Sequence, residues 1–148
     1  MKKIIVDTNI IFSTLLNSNG TTGDLIFNSN GFFEFYSCDY MRFEIRKHWS
    51  KLIKISKLTD EEMHDAYEKV LTKINFINEA IISPATWIKA EQIVRDIDPD
   101  DVDFVALTNH LKGCLWTGDK ELYSGLKEKK FRCVYSTADI VKKRYKQT

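Results

Sequence analysis

The chain is poor in proline and glycine, which interrupt secondary structure, and in cysteine, which can crosslink a chain. It has two prolines and six glycines in 148 residues, and no low-complexity linker or repeat interrupts it. Its three cysteines, Cys38, Cys114 and Cys133, are odd in number and lack a CxxC spacing, so we expect reduced, buried thiols. No apolar run is long enough for a membrane helix or a signal peptide, which predicts a cytoplasmic protein without membrane contact.

Neither positive nor negative charge dominates the chain, because the net charge is +1. A hydrophobic share of 43% and a charged share of 29% are typical of an ordinary globular protein, and the length predicts a single domain over residues 1–148. Acids crowd residues 96–103, whereas bases crowd residues 42–57 and the C-terminal tail. Basic clusters beside an acidic site fit a polyanionic substrate held near bound metal, and solvated helix faces are the alternative.

Short apolar runs alternate with helical patterns along the chain. Strands are predicted at 4–6, 32–38, within 74–82, at 114–117 and at 131–136. Helices are predicted from Asn9 to about Leu16, near Asp24–Phe27, from a cap at Asp39 to about Lys51, after the Thr59 and Glu62 capping box, after Ser83 and Pro84, over 103–111 with Gly113 ending it, through Leu122 and Leu126, and over Ala138–Tyr145. This alternation predicts an α/β sandwich with a mainly parallel central sheet.

Two aspartates, Asp7 and Asp119, directly follow runs that read as buried strands. In parallel sheets ligands bind at the carboxyl ends of the strands, so two acids delivered to that edge indicate a site. Glu44, in the helix after the second strand, and Asp101, at the start of the helix before CLWT, can reach the same edge. Carboxylates in contact repel by about 4 kcal/mol per pair at an effective dielectric near 20. Protonation of one carboxylate or a bound hard divalent cation relieves that repulsion, and the presence of several acids favours the cation.

Each acid also has a simpler structural interpretation. Asp7, Asp101 and Asp119 can cap the helices that follow them. Glu44 can pair along its helix with Lys47 and His48. Lys51 would continue that face, so Arg46, Lys47 and Lys51 are also candidates for contacts with substrate phosphates.

Several segments together resemble the PIN domain family of metal-dependent ribonucleases. They are VDTNI, FEIRKH, DPDDVDFVAL and LWTGDKEL, which together span almost the whole chain. The resemblance implies a three-layer α/β/α fold and a metal-binding and catalytic quartet of Asp7, Glu44, Asp101 and Asp119. It also implies Mg²⁺ or Mn²⁺ as cofactor, with Asn9 and Thr117 as supporting polar residues.

The third acid has competitors, because Asp98, Asp100 and Asp103 lie beside Asp101. Counting back from TGD favours Asp101, with Asp103 as the alternative. Positions two apart on a helix lie about 200° around its axis, so both should not face one metal and one of them should face solvent.

The resemblance implies an endoribonuclease that acts on RNA, and in many family members one that is the toxin of a toxin–antitoxin pair. An antitoxin protein and a second copy of the chain are therefore expected partners. Two alternatives stay open: a non-catalytic module that binds RNA or protein, and a haloacid-dehalogenase-like phosphatase. The phosphatase signature requires a second aspartate where this chain has Asn9, which disfavours that mechanism.

Overall fold

A sheet of five parallel strands runs through the centre of the protein, in the order β3-β2-β1-β4-β5. The computed structural model describes residues 1–146. The strands are β1 Lys2–Val6, β2 Phe33–Cys38, β3 Ile74–Ile77, β4 Cys114–Trp116 and β5 Val134–Tyr135. Ile4, Ile5 and Val6 are all fully buried, so the central strand is covered on both faces. The predicted α/β/α sandwich is confirmed, with a sheet that is parallel throughout.

Helices connect the strands and form the two outer layers. Within residues 1–146 they are α1 Thr8–Leu16, α2 Thr21–Phe27, α3 Asp39–Lys47, α4 Trp49–Ser56, α5 Asp60–Leu71, α6 Pro84–Val94, α7 Val102–Leu111, α8 Lys120–Glu128 and α9 Thr137–Tyr145. Helix α1 packs against α2, α4 and α5, whereas α7 packs across β1, β2 and β4 and against α6. None of these helices is long and apolar enough to cross a membrane.

Polar caps set several helix starts where the sequence predicts them. Thr59 and Glu62 form both bonds of a capping box at the start of α5, and the Ser83 hydroxyl accepts from Thr86 N before Pro84 opens α6. A second capping box, which was not predicted, joins Ser136 and Asp139 at α9. Such caps can be predicted from sequence because each depends on residues within one helical turn.

The helix predicted from Asp39 to Lys51 is wrong in two respects. Asp39 is the first helical residue rather than the cap, and the chain breaks at His48 into α3 and α4. No proline or glycine marks the break. Instead, the His48 ring packs edge-on against Phe12, and Trp49 donates from its indole nitrogen to Asp60 Oδ1 over 2.7 Å. Long-range contacts therefore redirect the helix.

Gly113 does not end α7 as predicted, because Lys112 takes the left-handed position with φ of 55°. Gly113 is instead required by its close packing against β1. A Cβ at this position would lie 2.7 Å from Lys3 O and 2.7 Å from Ile5 Cδ1. The close approach to β1 therefore requires glycine here.

The prediction of three reduced thiols is wrong for two of them. Cys114 and Cys133 form a disulfide, with 4.6 Å between their Cα atoms, and Cys38 is free and buried. The pairing of Leu115 with Val134 in neighbouring strands places the two cysteines side by side. The last strand is also shorter than predicted, at two residues.

Candidate active site

The site lies at the carboxyl ends of β1 and β4, in the middle of the sheet. The chain winds outward from β1 through β2 to β3 on one side and through β4 to β5 on the other. Asp7 N donates to Trp116 O over 3.0 Å, and Thr117 N donates to Tyr135 O over 3.1 Å. These bonds continue the ladders past the strand ends. Asp7 and Thr117 therefore meet at a topological switch point, where parallel sheets bind ligands.

The Asp7 carboxylate is held by three hydrogen bonds and is only 4% exposed. Its Oδ1 accepts from Thr8 N over 2.7 Å, and its Oδ2 accepts from Thr117 Oγ1 over 2.7 Å and from Asn9 Nδ2 over 3.2 Å. Burial raises the pKa of Asp7 from 3.8 to about 6, and the negative charges of Glu44 and Asp119 add to that rise. Asp7 is thus both the cap of α1 and a member of an acidic cluster.

Glu44 reaches the same edge from helix α3. The Thr8 hydroxyl donates to its Oε1, and the Thr8 N–H donates to Asp7 Oδ1, so Thr8 contacts both carboxylates. Burial raises the pKa of Glu44, and the charge of Asp100 also raises it. The predicted pairing with Lys47 and His48 is not present as an ion pair within 4.0 Å, among the residues described.

Asp101 is the third acid of the cluster. It ends a short 3-10 turn, Pro99–Asp101, at the start of α7. Burial raises its pKa from 3.8 to about 8, with further contributions from the charges of Asp7, Asp98, Asp119 and Glu44. Its Oδ2 is buried and lacks a hydrogen-bond partner. An unpartnered carboxylate oxygen among like charges fits a position at which a cation would bind.

Asp103 does not join the cluster around Asp101, as the helical spacing predicts. The expectation that it would face solvent is wrong. It is partly buried beside Glu79 and Cys38, and ligand atoms of these three residues lie within 4.8 Å of one another. Burial, followed by the neighbouring Glu79, raises the pKa of Asp103. Asp100 is exposed and its N–H donates to Asp98 Oδ1 over 3.0 Å. The geometry therefore separates the competing acids and favours Asp101.

Asp119 completes the cluster from the start of α8. Its Oδ1 accepts from Glu121 N over 2.9 Å and from Leu122 N over 3.2 Å, so it caps the helix. Its own N–H donates to Thr117 Oγ1 over 3.0 Å. Asp119 therefore caps a helix at the edge of the acidic cluster, as Asp7 does, and capping is compatible with the predicted role of both residues in the site.

Thr117 and Asn9 tie the two strand ends to each other. The Thr117 hydroxyl contacts Asp7 Oδ2, Asp119 N and, at 3.4 Å, Asn9 Nδ2. Asn9 Oδ1 accepts from Gly118 N over 2.8 Å. These neutral side chains connect the aspartates of β1 and β4 through hydrogen bonds, and their role as supporting residues stays a prediction.

The basic candidates lie on two helices rather than one. Arg46 and Lys47 are exposed near the end of α3, close to Glu44 in sequence. Lys51 lies on α4, where it lines an apolar groove with Phe12 and Leu52. The assumption that Lys51 continues the Glu44 helix face is therefore wrong.

The donor set of the quartet fits a hard divalent cation. All four members offer carboxylate oxygens, which Mg²⁺ and Mn²⁺ prefer, and two of them have pKa values raised to about 6 and about 8. The burial and mutual repulsion behind those values are what a bound cation would offset.

The neighbouring group of Cys38, Glu79 and Asp103 fits a structural role better than a second metal site. The Glu79 carboxylate accepts from Asp39 N over 3.1 Å and from Tyr40 N over 2.9 Å, and so caps α3. Burial strongly raises the pKa of the Cys38 thiol, which disfavours a thiolate ligand. Glu79 was not predicted from the sequence, although an acid two residues past a strand was a usable signal.

The family is decided by the match of a PIN domain model to residues 5–138, which is most of the chain. The chain belongs to the PIN domain family. No curated protein matches the sequence. The resemblance inferred from VDTNI and LWTGDKEL is thereby confirmed.

Solved structures share the PIN fold at low sequence identity. VapBC2 from Rickettsia felis, bound to a DNA fragment from their promoter, matches with a TM-score of 0.67 and 11% identity over 90% of this chain and 98% of that one. PAE2754 from Pyrobaculum aerophilum matches with a TM-score of 0.64 and 11% identity over 96% of this chain and 89% of that one. At such identities the likeness shows the fold alone.

Proposed function

We propose that this PIN domain is a metal-dependent endoribonuclease. The observation that carries the proposal is the convergence of Asp7, Glu44, Asp101 and Asp119, with the buried Asp101 Oδ2 lacking a partner. The reaction is hydrolysis of an RNA phosphodiester, in which water adds to phosphorus and the bond to the leaving ribose oxygen breaks.

Mg²⁺ or Mn²⁺, when bound, would lower the pKa of a water and polarise a phosphate oxygen. Asp7, Asp101 and Asp119 would hold the cation, with Glu44 completing the acidic set. Thr117 and Asn9 orient Asp7, and Thr8 orients Glu44, through the hydrogen bonds described above. Arg46 and Lys47, exposed on the helix that carries Glu44, would contact substrate phosphates. Asp103 packs against Glu79 and is given no part in the site.

A toxin role with an antitoxin protein as partner extends the proposal. VapBC2 was solved with promoter DNA, and this chain shares its fold. A homodimer and a cytoplasmic location accompany that role. The Cys114–Cys133 disulfide opposes the location, because disulfides are rare in reducing compartments.

The main alternative is a non-catalytic module that binds RNA or protein. It is less favoured because each acid of the quartet is present and the charges of Glu44 and Asp119 raise the pKa of both Asp7 and Asp101. The phosphatase alternative loses its support with the family assignment.

The test is cleavage of single-stranded and structured RNAs with Mg²⁺ or Mn²⁺, and with EDTA in parallel. Asp119→Asn is compared with Asp65→Asn, a matched change at an exposed aspartate on α5. The proposal predicts cutting that EDTA and Asp119→Asn abolish and Asp65→Asn preserves. Wild-type protein that binds RNA and cuts none would favour the binding module.

A further inference from the structure

Helix α3 presents an unusual set of side chains on the face that carries Glu44. Tyr40, Phe43, Glu44 and Lys47 have the spacing i, i+3, i+4 and i+7, which places them along one side of a helix. One face therefore carries two aromatic rings, an acid of the proposed metal site and a base.

The two aromatic rings extend a stack that starts in the core. Phe104 of α7 is 1% exposed, and its ring centroid lies 6.3 Å from that of Tyr40. Tyr40 in turn stacks on Phe43, with centroids 5.7 Å apart and planes 21° apart. Phe43 is 56% exposed. The stack of Phe104, Tyr40 and Phe43 thus runs from the interior to a ring that meets solvent.

Single exposed apolar residues are normal on protein surfaces, so exposure of Phe43 alone carries no inference. Its location is what distinguishes it. Tyr40 lies one helical turn before Glu44 on the same face of α3, and Phe43 adjoins Glu44 in the chain. The stack therefore lies beside this acid of the cluster. The pKa of Tyr40, raised by burial and then by the charge of Glu44, agrees with that position.

A flat, partly exposed ring beside a phosphodiesterase site fits one ligand class well. Nucleobases stack on aromatic side chains irrespective of sequence, because every base has a π-face. A base can do so only when it is unstacked from its neighbours, as in single strands and loops. Lys47, on the other side of Glu44 along the same helix face, is exposed and can contact an adjacent phosphate.

We propose that Phe43, supported by Tyr40, binds a nucleobase of single-stranded RNA beside the phosphate that lies at the acidic site. The inference rests on the proposed nuclease function and deepens it by naming an unpaired substrate segment. It makes Phe43 a substrate-binding residue and Tyr40 a positioning residue that holds the outer ring.

The experiment measures binding of a labelled single-stranded RNA oligonucleotide by fluorescence anisotropy, in Asp119→Asn protein with Mg²⁺. Phe43→Ala is made in that background, with Phe43→Trp as the conservative change. Ile88→Ala is the matched control, since Ile88 is also 56% exposed and lies on α6. We expect Phe43→Ala to weaken binding about 5- to 150-fold, Phe43→Trp to restore it and Ile88→Ala to leave it unchanged.

A second arm replaces the nucleotides of the oligonucleotide, one position at a time, with abasic ones. Removal of the stacked base should weaken binding to the unsubstituted protein and leave binding to the Phe43→Ala protein unchanged. Equal losses in both proteins, or binding that Phe43→Ala does not change, would overturn the proposal. A change in oligomeric state by sedimentation, with RNA binding intact, would assign Phe43 to a protein interface instead.

The arms separate this inference from the nuclease proposal. Stacking by a protein that never cuts RNA would refute the nuclease and keep the base-binding site. Metal-dependent cutting with the same KM and kcat in Phe43→Ala would keep the nuclease and refute the base-binding site.

Discussion

Substitution of Asp7 by asparagine should make the metal-free protein more stable at pH 8, although it removes an acid of the proposed site. The Asp7 side chain is buried, and its pKa is raised from 3.8 to about 6 by that burial and by its acidic neighbours. The folded state therefore holds a proton more tightly than the unfolded state does. The contribution of Asp7 to stability falls as pH rises from about 4 to 6 and then stays level, because ionisation of Asp7 in the folded protein becomes complete.

The size of the effect follows from that pKa change. A rise from 3.8 to about 6 corresponds to a loss of about 3 kcal/mol of unfolding free energy at pH 8, at 1.36 kcal/mol per pKa unit. Asparagine keeps the shape and one acceptor but loses about one hydrogen bond among those from Thr8, Asn9 and Thr117, worth about 1 kcal/mol. The variant should gain about 2 kcal/mol, which raises Tm by about 4 to 8 °C.

The assay is thermal unfolding in EDTA at several pH values, followed by circular dichroism. The gain of Asp7→Asn should be largest above pH 7 and should vanish near roughly pH 4.5, where the charge penalty shrinks to about the value of the lost hydrogen bond. Mg²⁺ at about 100 times its dissociation constant should stabilise the wild type by about 2.7 kcal/mol and reverse the order. Asp65→Asn is the control and should follow the wild type.

Two results would refute this reasoning. A variant that is less stable than the wild type at every pH would mean that the buried charge is not destabilising. A gain at pH 8 without any effect of Mg²⁺ on the wild type would mean that repulsion exists and no cation relieves it, which would remove the basis of the metal site.

Three further predictions concern the surroundings of the site. Thr117→Val removes the hydroxyl that joins Asp7 to Asp119 and should lower cleavage about 10- to 100-fold with unchanged circular dichroism, whereas Thr117→Ser should retain activity. Reduction of the Cys114–Cys133 disulfide, which spans 19 residues, should lower the unfolding free energy by about 3 kcal/mol in urea titrations. The number of titratable thiols should rise from one to three on reduction, and three thiols before reduction would contradict the disulfide. Glu79→Ala removes the cap of α3 and should cost about 1 kcal/mol, with Glu79→Gln less harmful; equal stability of all three proteins would exclude a capping role.

Local chemistry explains most of what could be predicted about the fold. The apolar runs that end at Val6 and Trp116, and the capping box of Thr59 and Glu62, depend on neighbours in sequence and appear where expected. The helix break at His48 could not be predicted, because it depends on Phe12 and on Trp49 reaching Asp60. A pattern of helix-forming residues contains no information about such distant contacts.

The same distinction applies to the candidate site. Chain order and strand ends indicated Asp7 and Asp119, and the helical angle between Asp101 and Asp103 predicted that only one would face the cluster. Which of the two does so depends on how α7 lies across the sheet, and the packing directs Asp103 to Glu79 instead.

The sequence by itself determined the order of the strands, most of the helices, the acidic residue types and the family, because these depend on short-range patterns and motif spacing. Only the tertiary structure decided the sheet order, the pairing of Cys114 with Cys133, the Thr117 link between two strand ends and the aromatic stack that ends at Phe43. Each of these joins residues that are distant along the chain or depends on packing between elements. The free energies of these interactions depend on distances between residues that are set only when the strands pair and the helices pack.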